Sequence, residues 1–294
     1  MKYQFIETQR SEFRLKKMCQ VLKVSRSGYY KWQKREKSPS LIRNEELLEK
    51  IKKIHEENEG IYGSPKITNE LKKQGFKCSK NRVAQIMRKN GIISKVKKKF
   101  KITTNSEHNK EIAPNLLSPV KKEINRPNFV WISDITYIWT KEGWLYLAVV
   151  IDYYTRGVIG WSMSNRITKE LVINAFLMAL YRKKPPQNVI FHSDRGSQYA
   201  SNEFKKILKY NHFIPSMSGA GNCYDNAAAE SFFHNLKVEK VYWNIYEGRN
   251  DAKRSVYDYI ELYYNVRRSH SSIDYMTPKA YEEKYYNTIK EKVM

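Results

Sequence analysis

Three acidic residues in the second half of the chain have the types and spacing that metal-dependent phosphodiester chemistry requires. Asp134 and Asp194 each lie in or end an apolar stretch, and Glu230 follows three alanines at the start of a helical segment. There are 59 residues between the two aspartates and 35 between Asp194 and Glu230. Such chemistry uses carboxylates that converge on two divalent ions ~4 Å apart, and Mg²⁺ prefers carboxylate oxygens. We therefore take Asp134, Asp194 and Glu230 as candidate catalytic and metal-binding residues, with two Mg²⁺ (or Mn²⁺) ions per active site.

Each of these acids also has a purely structural interpretation. Asp134 would face water if its strand lies at a sheet edge, Asp194 would initiate a turn, and Glu230 would favour a helix N-terminus. The apolar neighbours of Asp134 favour a functional role, because a carboxylate among them is costly unless it is paired or metal-bound. Taken one residue at a time, the alternatives stay open.

The segments that must position the acids alternate between strand and helix patterns. Apolar, β-branched runs predict strands, and apolar residues at helical spacing predict helices. The predicted strands cover residues 129–140, 145–155, 157–164, 188–194 and 213–217, and the predicted helices cover 168–184, 201–211, 227–241 and 249–268. This order indicates an α/β fold with a mixed sheet, as in a ribonuclease H-like domain.

The charge distribution points to a polyanionic partner for the front half. The 294 residues carry a formal net charge of +24, and residues 1–120 hold 29 Lys/Arg against 12 Asp/Glu. Residues 71–101 contain 12 basic residues and no acidic one, which indicates nucleic-acid binding, although a generally basic protein is the alternative. No apolar run approaches the ~20 residues of a membrane span. The three cysteines are scattered, which favours a reducing, cytoplasmic location.

The front half predicts an all-α region with two helix-turn-helix patterns. Residues 1–45 form a helix-turn-helix-like segment, and 46–102 a basic helix-turn-helix DNA-binding domain with Ser79 as N-cap of its second helix. A linker over 103–127 precedes a catalytic core with C-terminal helices over 128–294. The predicted DNA contacts in the basic domain are Lys80, Arg82, Arg88, Lys89, Lys97, Lys98 and Lys99.

Several longer words of the sequence resemble those of a known family. They are "WISDITYI", "GWLYLAVVIDYYTRGVIGWSMS", "HSDRGSQYAS", "GNCYDNAAAESFFHNLKVE", "YYNVRRSHSSIDYMTP" and the upstream "IYGSPKITNELKKQGFKCSKNRVAQIMRKNGI". Together with the Asp, Asp, 35 residues, Glu pattern, they resemble the DDE transposases and retroviral integrases. Within this group they resemble the OrfB-type transposases of bacterial insertion sequences of the IS3 family, over nearly the whole chain.

The resemblance implies an integrase-type catalytic core with Asp134, Asp194 and Glu230 as its triad. It also implies metal-dependent cleavage of element ends, followed by attack of the 3′-hydroxyl on another phosphodiester. Lys237, two helical turns after Glu230, matches the family's DNA-contacting basic residue, and Arg195 belongs to a loop that DNA approaches. The roles of the C-terminal signature, which includes Tyr264, Asn265, Arg268 and His270, stay open between DNA contact and helix packing.

The resemblance further implies double-stranded DNA as partner, both as the terminal inverted repeats and as the target. A homo-oligomer on DNA and an OrfA partner, or an OrfAB fusion, are expected, at the bacterial nucleoid and without membrane association. The chain has no extended heptad repeat at its start, which is expected of OrfB. Two other interpretations remain. A non-catalytic DNA-binding regulator or decayed transposase shares the basic front half, and a ribonuclease H-like nuclease or junction resolvase shares the acids.

Overall fold

A computed structural model describes residues 1–34, 38–95, 112–219 and 226–293 of the chain. The first three helices, α1 (Lys2–Thr8), α2 (Leu15–Val21) and α3 (Arg26–Gln33), form a small unit. Its core consists of its own buried side chains Ile6, Met18, Cys19 and Tyr29. The hydroxyl of Ser25 accepts a hydrogen bond from the Gly28 amide and caps α3.

The second helical unit comprises α4 (Pro39–Glu57), α5 (Ser64–Lys73) and α6 (Lys80–Lys89). The Ser79 hydroxyl accepts from the Arg82 amide at 3.2 Å and begins α6. Gly75 follows α5 with φ +85°, a left-handed conformation that glycine adopts without strain. Helix α4 runs through residue 45, where the sequence places the boundary between the first two segments. The helices enclose a core that includes Leu47, Ile51, Ile54, Ile67, Leu71, Val83, Ile86 and Met87.

A mixed five-stranded sheet forms the centre of the second half and confirms the predicted α/β class. Its strands are β1 (Val130–Thr140), β2 (Gly143–Asp152), β3 (Val158–Ser164), β4 (Ile190–Ser193) and β5 (Ile214–Met217). The spatial order is β3-β2-β1-β4-β5. Strands β1, β2 and β3 are antiparallel neighbours, whereas β4 runs parallel to both β1 and β5.

Helices cover both faces of this sheet, so its central strands are buried on two sides. Helices α8 (Lys169–Lys183) and α9 (Asn202–Tyr210) pack on the face that holds Trp131. Helices α10 (Ala227–Glu239) and α11 (Arg249–Tyr257) pack on the opposite face, which holds Ile132. The alternation of adjacent β1 residues between two cores explains why this strand reads as an almost continuous apolar run.

Two segments differ from the sequence-based expectation. Residues 117–120 of the predicted linker form a short helix, α7 (Leu117–Val120), and the Leu117 side chain is buried in the core of the sheet domain. The predicted helix over 249–268 changes from α-helix to a π-helical segment, Asp258–Tyr264, directly after α11. The last helix is α12 (Pro278–Val293). Among the described residues, no helix has the length and apolar character needed to cross a membrane.

Candidate active site

The register of two parallel strands brings Asp134 and Asp194 to the same place. Ser133 of β1 pairs with Ser193, the last residue of β4, so Asp134 in β1 and Asp194 directly after β4 are the next residues along the two chains. Neighbouring strands lie ~4.8 Å apart. Because β4 ends there while β1 continues to Thr140, the edge of β1 beyond Asp134 is not covered by β4.

Backbone amides orient both carboxylates. Oδ1 of Asp134 accepts a hydrogen bond from the Ile135 amide at 2.7 Å, and Oδ1 of Asp194 accepts from the Gly196 amide at 3.0 Å. A Cβ atom on Gly196 would lie 3.0 Å from the same Asp194 oxygen and 3.1 Å from Oε1 of Gln198. A glycine therefore gives this loop room to wrap around the Asp194 carboxylate.

The electrostatic environment of Asp134 is typical of an acid in a cation-binding site. Burial raises its pKa well above the ordinary value, and the negative charges of Asp194 and Glu230 raise it further. The hydrogen bond from Ile135 and the positive charge of Lys237 act in the opposite direction. Clustered acids repel one another and keep protons at higher pH unless a cation compensates them.

Glu230 comes to this cluster from α10, which packs on β1 and β2. Ala228 and Ala229, directly before it, are buried against the sheet, and their small side chains allow the helix to approach closely. The Glu230 side chain is half-buried, and burial raises its pKa. The helix therefore presents a third carboxylate beside Asp134 in β1 and Asp194 after β4.

Lys237, which the sequence predicts as a DNA contact, lies on the same helix. Its side chain is only 3% exposed, and Nζ lies 4.8 Å from the centre of the Tyr137 ring. Burial lowers its pKa to about 8, while the charge of Asp134 opposes this shift. The ammonium group thus contributes positive charge to the acid cluster from within the protein.

A buried tyrosine beneath the two aspartates was not predicted from the sequence. The Tyr199 hydroxyl lies 2.9 Å from Oγ of Ser133, and this serine also contacts the Val149 carbonyl at 2.8 Å. Burial raises the pKa of Tyr199 well above its ordinary value, and the charges of Asp134 and Asp194 add to this. A single tyrosine near polar residues in the sequence carries no signal that would distinguish this position.

The turn after β4 is fixed from its other side by β5. His192 is fully buried between two serines, with Nδ1 2.8 Å from Oγ of Ser216 and Nε2 3.1 Å from Oγ of Ser218. Nε of Arg195 donates to the Ser218 carbonyl at 2.8 Å. Arg195, predicted as a DNA contact, thus lies in the loop beside the acids and is also tied to the protein backbone.

The other predicted DNA contacts occupy different environments. Lys80, Arg88 and Lys89 are exposed along α6. Arg82 is partly buried and donates through Nε and Nη2 to Oδ1 of Asn44, at 3.0 and 2.8 Å. The remaining three, Lys97, Lys98 and Lys99, lie outside the described residues.

The donor set fits a hard divalent cation. It contains only carboxylate oxygens, its three acids interact electrostatically, and Asp134 and Asp194 lie side by side where β4 ends against β1. In the part of the chain that the structure describes, no three His, Cys, Asp or Glu side chains already form a compact metal cage.

This acid cluster on a mixed sheet, behind a basic helical domain, defines the class of protein. Family models described as integrase core domain match residues 124–223 and 230–286, and a model described as HTH-like domain matches 43–100. The class is that of the DDE-type transposases and integrases, which are polynucleotidyl transferases. The chain belongs to the IS3 family of insertion-sequence transposases.

The evidence for the family is similarity over almost the full length. The chain is 42% identical over 286 residues to transposase InsF for insertion sequence IS3A of Escherichia coli (strain K12), covering 97% of this chain and 99% of the relative. It is also 42% identical to the insertion element IS600 uncharacterized 31 kDa protein of Shigella sonnei, covering 92% and 98%. Among solved structures, the HTLV-2 integrase catalytic core domain in complex with magnesium is 20% identical. Its TM-score is 0.41, and the match covers 53% of this chain and 97% of that one.

Proposed function

We propose that this transposase cleaves the ends of its insertion element and joins the released 3′-hydroxyls to another phosphodiester. Asp134, Asp194 and Glu230 would hold two Mg²⁺ or Mn²⁺ ions. The observation that carries this proposal is the meeting of Asp134, within β1, and Asp194, directly after β4, where burial and the charges of Asp194 and Glu230 raise the pKa of Asp134. Bound ions of this kind lower the pKa of an attacking hydroxyl and stabilise the leaving oxygen.

The protein's own side chains define how the site would be used. Backbone amides of Ile135 and Gly196 each donate to one carboxylate oxygen of the two aspartates and fix the orientation of these side chains. Lys237 places a positive charge near Asp134, where a DNA phosphate would enter. The uncovered edge of β1 beyond Asp134 is the side from which DNA would approach.

The hydroxyl groups near the acids support direct attack by water or a DNA hydroxyl, with no covalent intermediate on the protein. Tyr199 is the tyrosine next to both aspartates, but burial and their charges raise its pKa, so its phenolate is disfavoured. Its hydroxyl is also within 2.9 Å of Ser133, which contacts a backbone carbonyl. Nucleophilic residues need the opposite conditions, namely a lowered pKa or an adjacent base.

The helical front half would bind the duplex. The exposed Lys80, Arg88 and Lys89 lie on α6, the second helix of the helix-turn-helix, and suit phosphate contact. We propose double-stranded DNA as the partner, both as terminal inverted repeats and as target. Two ends would be held by more than one copy of the chain, with OrfA as a further partner. The site of action would be the bacterial nucleoid.

A cleavage and strand-transfer assay tests the proposal. The full chain is incubated with a labelled duplex that ends in the terminal repeat of its element, with Mg²⁺ or with EDTA. We expect metal-dependent nicking and joining by the wild type, and a loss of at least ~100-fold in Asp194→Asn and Glu230→Gln with duplex binding retained. Glu282→Gln, which alters an ion pair with Lys183 remote from the acids, is the matched control.

Two results would contradict the proposal. Full activity of Asp194→Asn with Mg²⁺ would show that the acids are not the metal-binding catalytic residues. Tight duplex binding by the wild type without any metal-dependent nicking would favour a DNA-binding regulator.

A further inference from the structure

The end of α10 is fixed by a buried ion pair that the catalytic assignment does not use. Nη2 and Nε of Arg268 donate to the two carboxylate oxygens of Glu239, the last residue of α10, at 2.7 and 2.8 Å. The Tyr259 hydroxyl donates to Oε2 of the same glutamate at 2.7 Å. The side chains of the pair are only 7% and 8% exposed.

The same C-terminal segment also holds α10 near Glu230. Phe232, two residues after Glu230, is fully buried and packs edge-to-face against Tyr264, with ring centres 4.8 Å apart. The helix rises 1.5 Å per residue, so Glu239 lies ~13 Å along its axis from Glu230. Residues 259–268 therefore contact α10 at two points, Phe232 and Glu239, which lie on either side of Lys237 along the helix.

The helix-turn-helix domain reaches the backbone on both sides of Arg268. The Tyr62 hydroxyl accepts a hydrogen bond from the Ser269 amide at 2.8 Å and donates one to the Arg267 carbonyl at 3.2 Å. Tyr62 is 2% exposed, and Tyr263 packs against the core of the same domain. A single hydroxyl of the DNA-binding domain thus fixes the two peptide groups that carry the arginine.

We propose that Arg268 is a positioning residue. Tyr62, Arg268 and Glu239 form a chain of contacts from the helix-turn-helix domain to α10. Through this chain, the docking of the helix-turn-helix domain sets the positions of Glu230 and Lys237. This inference rests on the proposed function. In physical terms, Arg268 aligns α10 with the two aspartates by holding the C-terminal end of this helix, and it does so without touching DNA or metal.

The chemistry of the pair favours alignment over stability as its role. A buried ion pair gains little over apolar residues of similar size, because removing two charges from water offsets their attraction. The planar guanidinium instead imposes one geometry on the carboxylate, which the flexible ammonium of lysine does not. Small misplacements of catalytic groups are costly, and ~1 Å lowers a rate by ~100-fold.

The experiment compares Tyr62→Phe and Arg268→Lys in the full chain. Tyr62→Phe removes only the hydroxyl and keeps the ring, over which Nζ of Lys66 lies at 4.7 Å. The matched control is Tyr246→Phe, another buried tyrosine whose hydroxyl is bound, here to Oγ of Ser255 at 3.0 Å. For each protein we measure duplex affinity, the rate of end cleavage per folded molecule, and the dependence of that rate on pH.

We expect cleavage to fall about tenfold in Tyr62→Phe and ~100-fold in Arg268→Lys, with duplex affinity within about twofold of wild type. The alkaline limb of the pH profile should also move, because Lys237 lies between the two points at which α10 is held. The control should match wild type in all three measurements. If Arg268→Lys does not fold, Tyr62→Phe decides the question.

The inference is overturned if folded Tyr62→Phe cleaves like its control, or if cleavage falls while the pH profile stays in place. Either result would make these contacts structural only. Failure of the proposed function is distinguishable, because the wild type itself would then show no metal-dependent cleavage.

Discussion

Removing one acid of the site should make the metal-free protein more stable. Asp194→Asn keeps the side-chain oxygen that accepts from the Gly196 amide, but it removes the charge that faces Asp134. At the ~5 Å spacing of adjacent strands, two unit charges repel by about 3 kcal/mol at an effective dielectric constant of 20 and by about 1 kcal/mol in water. We expect the unfolding free energy to rise by an amount between these two limits.

The pH dependence of this gain has a defined sign. The folded-state pKa of Asp134 is raised, so the repulsion is fully present above that pKa and disappears as the pH falls through it towards ~4, the value in the unfolded chain. The stabilisation should therefore be clear at pH 8 and absent in acid. Saturating Mg²⁺ should stabilise the wild type more than the variant, because the ion binds the folded state with both charges present.

The matched substitution Asp152→Asn should have the opposite effect. Oδ2 of Asp152 accepts from the Asn128 amide at 2.6 Å, and Oδ1 accepts from the Thr155 amide at 2.8 Å. An asparagine has only one acceptor oxygen, so one buried amide would lose its partner, at a cost of about 1–3 kcal/mol. This aspartate holds its turn together through both carboxylate oxygens.

Urea unfolding at pH 8 in EDTA, followed by circular dichroism, measures both variants against wild type. The reasoning is refuted if Asp194→Asn is no more stable than wild type at pH 8, or if its gain persists unchanged at pH 4. Either outcome would mean that the two carboxylates do not share one electrostatic environment.

Three further predictions concern other positions in the chain. Burial lowers the pKa of Lys237 to about 8 from 10.5, so as the pH rises the folded chain releases this proton at a lower pH than the unfolded chain does. In urea unfolding, the wild type should therefore gain stability relative to Lys237→Met between pH 8 and 10.5. Gly196→Ala should place a Cβ 3.0 Å from Oδ1 of Asp194, and it should lower the cleavage rate about tenfold with a normal melting temperature. Gly160→Ala, by contrast, should prevent folding, because its Cβ would lie 2.2 Å from the Ala175 carbonyl oxygen. In duplex-binding titrations, Lys89→Ala should reduce the slope of log affinity against log salt by ~0.9, while Arg82→Ala should mainly reduce stability, because its fork binds Asn44.

The sequence predicted the elements of the fold well because their apolar patterns are local. The run around Asp134 and the alternation of helices and strands after it needed no tertiary information, and the sheet has the predicted mixed character. Helix α7 was not predicted, because its four residues lie in a polar, proline-containing stretch and its stability comes from burying Leu117.

The sequence proposed the acids of the candidate site but gave no signal of their surroundings. A carboxylate within an apolar strand, one at a strand end and one at a helix start suggested Asp134, Asp194 and Glu230, whereas the contact of Tyr199 with Ser133 spans 66 positions. The link from Tyr62 to the residues beside Arg268 spans more than 200 positions. No periodicity or spacing signals such contacts, because they exist only once separate elements have packed.

The parallel pairing of β1 with β4 has a consequence for the order in which the chain folds. The β1–β2 hairpin closes over a two-residue turn, but Ser133 must find Ser193 across 60 positions. Loop-closure entropy delays such distant pairings relative to local ones. We therefore expect the hairpin and the helical domain to form before the two aspartates meet. Under the proposed function, a folding chain would become able to bind DNA before it becomes able to cleave it.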